Sequence, residues 1–386
     1  MHQSLRLLFC IAFLCAVSFG QKNSKHVEII PTDGYQQPKL EASAELRSIL
    51  EQSVNEVIGS YPAGSFKPEE MAATLIDLRD PAHLRWADVR GEQSIYPASV
   101  VKMFYLAALH QQLQDGKVKS SPELMRGLRD MIVDSSNEAT QYILDVLTDT
   151  SSGAELPQDE FEKWQYKRNR VNRYYAAMGF SKINVNQKTF CEDAYGIEQQ
   201  SRNYKSENRN ALTTNATARL LAEIAMGKAV NAEHSRQMMD LLKRDPYKAS
   251  ADNDNQSTGF TGKMLIDKKI SGVGLWSKAG WTSKARHDAA YIETPDGLKY
   301  VLVIFTENHA NDREPIPAVA GKVLERMRGG KQKAESRMHK PVFAPVGAAR
   351  VFGSEEEGRK LEPVDVSDMP HLTQRCRRLT LNSTNM

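Results

Sequence analysis

Ser99 and Lys102 stand three residues apart at the start of an apolar run, in "YPASVVKMFYLAAL" from Tyr96 to Leu109. In a helix that spacing places both side chains on one face. The first turn also offers unpaired backbone N–H groups and the positive end of the helix dipole. A lysine in a partly dry cleft loses its proton near neutral pH and can take one from a neighbouring hydroxyl. The pair is therefore a candidate activated nucleophile. By itself it is weakly specific, since roughly one or two Ser-x-x-Lys matches arise by chance in a chain this long. A lysine that snorkels to the surface fits the same residues.

Two further stretches have polar groups suited to the same cleft. "MIVDSSNEAT" places Ser135 and Asn137 at a short junction within helical sequence, so a hydroxyl and an amide can face one site. The same residues also fit a plain helix N-cap followed by Glu138. "GLWSKAGWTSKARHDAAY" places Lys278, Ala279 and Gly280 in an edge-like strand, where a lysine also serves to guard the edge.

The surrounding pattern says how these pieces are carried. From Glu41 a helix is predicted, with Leu46, Ile49, Leu50, Val54 (one step off), Val57 and Ile58 on its buried face and a stop at Gly59 and Pro62. "MAATLIDLRDPAHLRWADV" reads as two strands joined at Asp80-Pro81. From Ser99 to about Lys263 the chain is mostly helical. One helix follows Ser121-Pro122, another covers "LPQDEFEKWQYKRNRVNRYYAAMGF", and two more are "TTNATARLLAEIAMGKA" and "SRQMMDLLKRDP". "ASADNDNQSTGFTGK" reads as a loop. Three strands then form a meander with "PDG" as a turn, and "IPAVAGKVLERMRGG" closes the chain as a helix. The order implies an α+β fold, in which an antiparallel sheet built from both chain ends is flanked by helices. An all-helical lobe is inserted at about 99–264.

The expected domains are a signal peptide at 1–20, a linker at 21–40, a catalytic domain at 41–330 and a mostly disordered tail at 331–386. The opening "MHQSLRLLFCIAFLCAVSFG" has Arg6, an apolar run from Leu7 to Val17, and small residues before Gln21. An uncleaved anchor is the alternative, although the run is short for a bilayer span. The expected location is outside the cytoplasm, periplasmic or secreted, without stable membrane insertion once the signal is removed. Removing it leaves only Cys191 and Cys376, too few for a disulfide framework. No zinc-type Cys/His spacing is present. In 386 residues the net charge is +3, which gives no reason to invoke nucleic acid. A monomer is expected.

In this order, with a helical block between the second and third, the three elements resemble the penicillin-recognising serine hydrolases, whose elements are Ser-x-x-Lys, Ser-x-Asn and Lys-Thr/Ser-Gly. Within that group the chain is most similar to the class A β-lactamases. "TLIDLRDPAHLRWADVRGEQSIYPASVVK", "ALTTNATARLLAEIAMG" and "KAGWTSKARHDAAYI" extend the resemblance over about Glu41 to Gly330. It implies that Ser99 is acylated, that Lys102 accepts or relays its proton, and that Ser135 passes a proton to the leaving nitrogen. It further implies that Asn137 holds the substrate's amide side chain and that Lys278, beside Gly280, attracts its carboxylate. The N–H groups of Ser99 and Trp281 would form the oxyanion hole. The chain departs from the family at Ala279, where a hydroxyl is usual, and Thr282 or Arg286 is expected to substitute. The family's Glu-x-x-Leu-Asn motif is not legible. Counting back from Thr213-Thr214 places its glutamate at Glu198, with Glu192 and Glu207 as alternatives. The implied substrate is a β-lactam or a peptidoglycan-like small molecule, and the resemblance implies neither metal nor organic cofactor. The competing expectations are a cell-wall D-alanyl-D-alanine peptidase or esterase of the same fold, and a penicillin-binding sensor or wall-binding module without turnover.

Overall fold

The structure is a computed structural model that describes residues 28–248 and 250–338, with side chains as far as Gly329. The expected signal peptide, Cys376 and the tail from 339 onward lie outside the described residues.

Strand β1 (Leu40–Ala42) leads into α1 (Ala44–Gly59), where the Ser43 hydroxyl accepts the Leu46 N–H at 3.2 Å as the N-cap. Two strands follow, β2 (Met71–Asp77) and β3 (Leu84–Val89), with Asp80-Pro81 at their turn. After the nucleophile turn come α2 (Lys102–Gln114), α3 (Pro122–Ile132) and α4 (Asn137–Thr148). Next are α5 (Gln158–Arg168), α6 (Arg170–Ala177), α7 (Ile197–Arg202), α8 (Thr214–Ala225) and α9 (Ala232–Leu242). The chain then forms β4 (Lys243–Arg244), α10 (Thr261–Asp267), β5 (Gly274–Trp281), β6 (Ala285–Glu293), β7 (Lys299–Glu307) and α11 (Pro315–Met338).

The seven strands form one sheet in the order β1-β3-β2-β7-β6-β5-β4. Every pairing is antiparallel except β1 with β3. The central β2–β7 contact joins the amino-terminal and carboxy-terminal contributions, from Met71 against Thr306 to Asp77 against Tyr300. One sheet face packs on the helical lobe through residues such as Ala72, Ile76, Val303 and Phe305. The other packs on α1, α10 and α11 through Leu50, Leu75, Leu302 and Val323. Core strands buried on both faces explain why β2 and β7 read as near-continuous apolar runs.

Three boundaries differ from those read in the sequence. The stretch at 28–40, expected as a linker, lies against the helical lobe. Ile29 is buried, Tyr35 Oη donates to Glu223 at 2.9 Å, and Arg173 pairs with Glu28 at 2.8 Å. Its short apolar content shows no period, so only long-range partners order it. The helix expected over 156–180 is two helices, broken at Asn169. The closing helix runs past Gly330 to Met338. Among the described residues no helix is long and apolar enough to cross a membrane.

Candidate active site

The site is assembled where α2 meets the sheet. Helix α2 is buried nearly all round, from Lys102 through Gln112, so its first-turn lysine has no route to water. Ser99 lies in the 3₁₀ turn Ala98–Val101 that leads into it. Ala98 holds φ at 47°, a left-handed conformation that costs a non-glycine residue about 1–2 kcal/mol and re-aims the chain immediately before the nucleophile. Two contacts over-determine this turn. His287 Nε2 donates to Tyr96 O at 2.9 Å, while its Nδ1 accepts the Thr306 N–H at 3.1 Å. Burial lowers that imidazole to about 4, so it stays neutral in this tautomer.

Strand β5 passes directly beside the same turn. A Cβ on Gly280 would lie 2.7 Å from Pro97 O and 3.0 Å from Ser99 N. Only glycine permits this approach, which carries the backbone of Trp281 to the nucleophile turn. The Trp281 ring is anchored by its Nε1–H, which donates to Ala310 O at 2.8 Å.

Lys102 is fully buried, and burial lowers its pKa to about 7. Its amine donates to Ser135 O at 2.5 Å and to Asn137 Oδ1 at 2.9 Å, with longer contacts to Ser136 O at 3.3 Å and Ser135 Oγ at 3.4 Å. Ser135 adopts a left-handed φ of 56°, ahead of the N-cap Ser136 that starts α4 at Asn137. The second motif is therefore both a cap and a site: Ser136 caps, while Ser135 and Asn137 face Lys102.

Ser135 Oγ also receives Lys278 Nζ at 2.9 Å, so the three motifs meet at one hydroxyl. Lys278 is fully buried and donates as well to Gln256 Oε1 at 2.6 Å and to Ala279 O at 2.8 Å. Burial, then the nearby charges of Lys102 and Arg244, pull its pKa well below that of a free lysine.

Gln256, from the stretch predicted as a loop, also joins this cluster. Its Nε2 donates to Val133 O at 2.9 Å, and its Oε1 holds Lys278. No periodicity or motif marks it, because its role depends on where the loop folds back.

The other candidates are placed elsewhere. The Ala279 side chain turns into the apolar core on the other face of the sheet, and only its backbone reaches the cluster, through Lys278 and Gln256. Arg286, expected to replace the missing hydroxyl, is also buried. Its guanidinium donates to Asp254 at 2.9 Å and to Gly259 O at 2.6 Å, and lies 4.0 Å from the Phe260 ring centroid. It fixes the loop that carries Gln256 and is already committed there. Thr282 Oγ1 accepts the N–H groups of Lys284 and Ala285 at 3.2 and 3.1 Å, closing the β5–β6 turn.

Glu198 is buried at the start of α7. It accepts from Arg168 at 2.6 and 2.8 Å and from Ser152 Oγ at 2.8 Å, and pairs with Lys188 at 3.2 Å. Burial raises its pKa, but Arg168 and Lys188 together outweigh that and hold the carboxyl below its ordinary value. Arg168 and Lys188 also reach Asp145 on α4, at 3.2 and 2.6 Å. Glu198 is thus the centre of a clasp that ties α4, α5 and α7 together. Among the described residues no carboxylate pairs with Lys102. Glu207 pairs loosely with Arg209 at 3.9 Å. No group of three or more His, Cys, Asp or Glu among the described residues could hold a metal ion.

A serine on a strained turn that leads into a buried helix, a buried lysine one turn later, and a second serine that both Lys102 and Lys278 reach are the arrangement of the penicillin-recognising serine-enzyme fold. The profile of the Beta-lactamase enzyme family matches residues 121–326, more than half of the chain, and the chain belongs to that family. Among solved structures it is similar to the β-lactamase from Sphaerobacter thermophilus DSM 20745, with 17% identity, a TM-score of 0.51, and coverage of 73% of this chain and 98% of that one. It is similar to PBP-A at 18% identity and a TM-score of 0.50, over 76% of this chain and 100% of that one. A β-lactamase from Chitinophaga pinensis DSM 2588 matches at 15% identity and 0.50, over 73% of this chain and 99% of that one. At these identities the likeness is one of fold. No curated protein matches the chain.

Proposed function

We propose that the chain is an exported serine hydrolase that opens β-lactam rings through an acyl-Ser99 intermediate. The observation that carries this reading is the buried Lys102 amine, lowered to about 7, in the same cluster as Ser135 and Lys278. In the acylation step neutral Lys102 takes the Ser99 hydroxyl proton as Oγ bonds to the lactam carbonyl carbon. The N–H groups of Ser99 and Trp281 stabilise the resulting oxyanion. As the oxyanion collapses, the C–N bond breaks and the nitrogen takes the Ser135 hydroxyl proton. The Lys102 ammonium returns its proton to Ser135. Water then attacks the ester carbonyl as a base takes its proton, and that proton passes to Ser99 Oγ as the C–O bond breaks, which frees Ser99 as the hydroxyl. The amino-terminal Arg6, apolar run and small residues support action outside the cytoplasm.

A second reading is favoured by one observation. The Glu198 carboxylate is engaged by Arg168 and Lys188, and no carboxylate pairs with Lys102 among the described residues. Such a site acylates readily but lacks an evident second base for water, as suits a wall-peptide enzyme or a penicillin-binding module. A mutant of PBP-A, a protein of the same fold, has been solved as an acyl-enzyme complex with penicillin G.

Intact-mass analysis after incubation with benzylpenicillin tests both readings. A covalent adduct is expected on the wild type and not on Ser99→Ala. Steady turnover of a chromogenic cephalosporin supports the hydrolase, whereas a stable stoichiometric adduct supports the second reading. An adduct on Ser99→Ala would remove Ser99 from the mechanism.

A further inference from the structure

Between β4 and α10 the chain makes a turn that is fixed from several sides. Asp254 takes Arg286 at 2.9 Å and Arg313 at 2.9 and 3.0 Å, and its own N–H donates to Asp252 Oδ1 at 2.9 Å. Asn255 closes the turn: its Oδ1 accepts the Ser257 N–H at 2.8 Å, and its carbonyl accepts the Gly259 N–H at 2.8 Å. A Cβ on Gly259 would lie 2.3 Å from Asn253 O, so the close passage of the chain there requires glycine. Gln256 sits within this turn and reaches from it into the catalytic cluster.

The Gln256 amide has different partners at its two ends. Nε2 donates to Val133 O at 2.9 Å and to Ile132 O at 3.2 Å. Oε1 accepts from Lys278 Nζ at 2.6 Å and from the Ala279 N–H at 3.3 Å. Turned over, the amide would set oxygen against two carbonyls and nitrogen against two donors, so its orientation is fixed. Ile132 and Val133 stand at the end of α3, where the last carbonyls lack partners within the helix. Arg244 on β4 takes Ile132 O as well, at 3.1 Å. Just beyond, Ser135 turns left-handed at a φ of 56° and its Oγ meets Lys278 Nζ at 2.9 Å. Gln256 thus ties the end of α3, which leads to Ser135, to the strand that carries Lys278.

We propose that Gln256 is a positioning residue for the proton transfer to the leaving nitrogen, holding Ser135 Oγ in register with Lys278 as the C–N bond breaks. The inference rests on the acyl-Ser99 reading. In that step the electron pair of the C–N bond goes to nitrogen, the Ser135 hydroxyl proton joins it, and the Lys102 ammonium restores the proton to Ser135. A displacement of about 1 Å in such a group can cost roughly a hundredfold in rate. A neutral amide fixes the lysine without adding a charge beside it. The need for the proton depends on the leaving group. The saturated ring nitrogen of a penicillin must receive it, whereas a nitrogen conjugated into an extended π-system can leave with its electron pair delocalised. Loss of Gln256 therefore discriminates between leaving groups, and loss of a residue that merely braces the fold does not.

The test compares acylation of the wild type and Gln256→Met by benzylpenicillin and by a chromogenic cephalosporin whose ring nitrogen is conjugated with its chromophore. Methionine keeps the length of the side chain and loses its hydrogen bonds. Acylation by the penicillin should fall roughly a hundredfold, and acylation by the cephalosporin less than about tenfold. Gln256→Ala should show the same selectivity. Equal slowing with both substrates, or a penicillin rate within twofold of wild type, would overturn the proposal. In the wild type, with no variant to fold, the Gln256 side-chain amide signals should shift in nuclear magnetic resonance spectra when benzylpenicillin acylates Ser99. Signals that stay still while the adduct forms would overturn it too. A wild type that forms no adduct removes the acyl-Ser99 reading and this inference together. A normal wild-type adduct with unselective loss in the variants removes this inference alone.

Discussion

Replacing Glu198 by glutamine separates a structural carboxylate from a catalytic one. The change keeps the shape of the side chain and removes its charge. Arg168 is fully buried, and two of its nitrogens bond to Glu198 at 2.6 and 2.8 Å. Removing one partner of a buried pair typically costs about 3–5 kcal/mol, because the other charge is left uncompensated. Here Asp145 remains 3.2 Å from Arg168, and a glutamine oxygen still accepts one bond, so about 3 kcal/mol is expected. With about 300 folded residues and roughly 2.1 cal/mol/K of unfolding entropy each, a kcal/mol is worth about 1.6 °C, so Tm should fall by about 5 °C. The difference should also depend on pH. The folded-state carboxyl is held below its ordinary value, so its contribution is fully present above about 4.5 and is lost as pH falls through the lower folded value. Wild type and Glu198→Gln should therefore converge in stability on acidification. The assay is thermal unfolding at neutral and acid pH, alongside acylation and deacylation rates with a penicillin. The clasp predicts a large loss of Tm with acylation retained. An unchanged Tm, together with a deacylation rate that collapses, would refute it and make Glu198 the base for water.

Two further outcomes concern the acylation step. The wild-type acylation rate should rise with pH through about 7 as the Lys102 ammonium loses its proton, then level off. Lys102→Arg, which stays charged, should slow acylation roughly a hundred- to ten-thousandfold, and a rate flat from mildly acid to mildly alkaline pH would exclude Lys102 as the base. Gly280→Ala places a methyl group 2.7 Å from Pro97 O, a backbone atom that cannot swing aside. Strand β5 must then move away from the nucleophile turn, and acylation should fall roughly a hundredfold if Trp281 N–H serves the oxyanion. A rate within twofold of wild type would take that N–H out of the site.

The class of fold and three parts of the site were legible in the residues, because they are local. The period of α1 and the helix start at Ser121-Pro122 depend on near neighbours in the chain, as does the Asp-Gly turn between β6 and β7. So does the three-residue spacing of Ser99 and Lys102. The antiparallel sheet from both chain ends could be inferred because two groups of strands bracket a helical block. What depended on contacts over long separations could not be read. The stretch at 28–40 has no period and is ordered by Glu223 and Arg173, far along the chain.

The same division runs through the site. Sequence alone determined that a serine, a lysine and two later polar motifs stand in the order of a serine acyl-transfer enzyme. It placed Arg286 and Glu198 as candidates by position, and position along the chain does not say which buried charge a side chain meets. Asp254 takes Arg286, and Arg168 takes Glu198, because a charge removed from water must be paired, whatever role its spacing suggests. Only the tertiary structure brings Gln256 to Lys278 and Gly280 against Ser99. It also buries Lys102 completely, a degree of burial that the apolar run after it suggested but did not fix, and that burial lowers the amine to about 7.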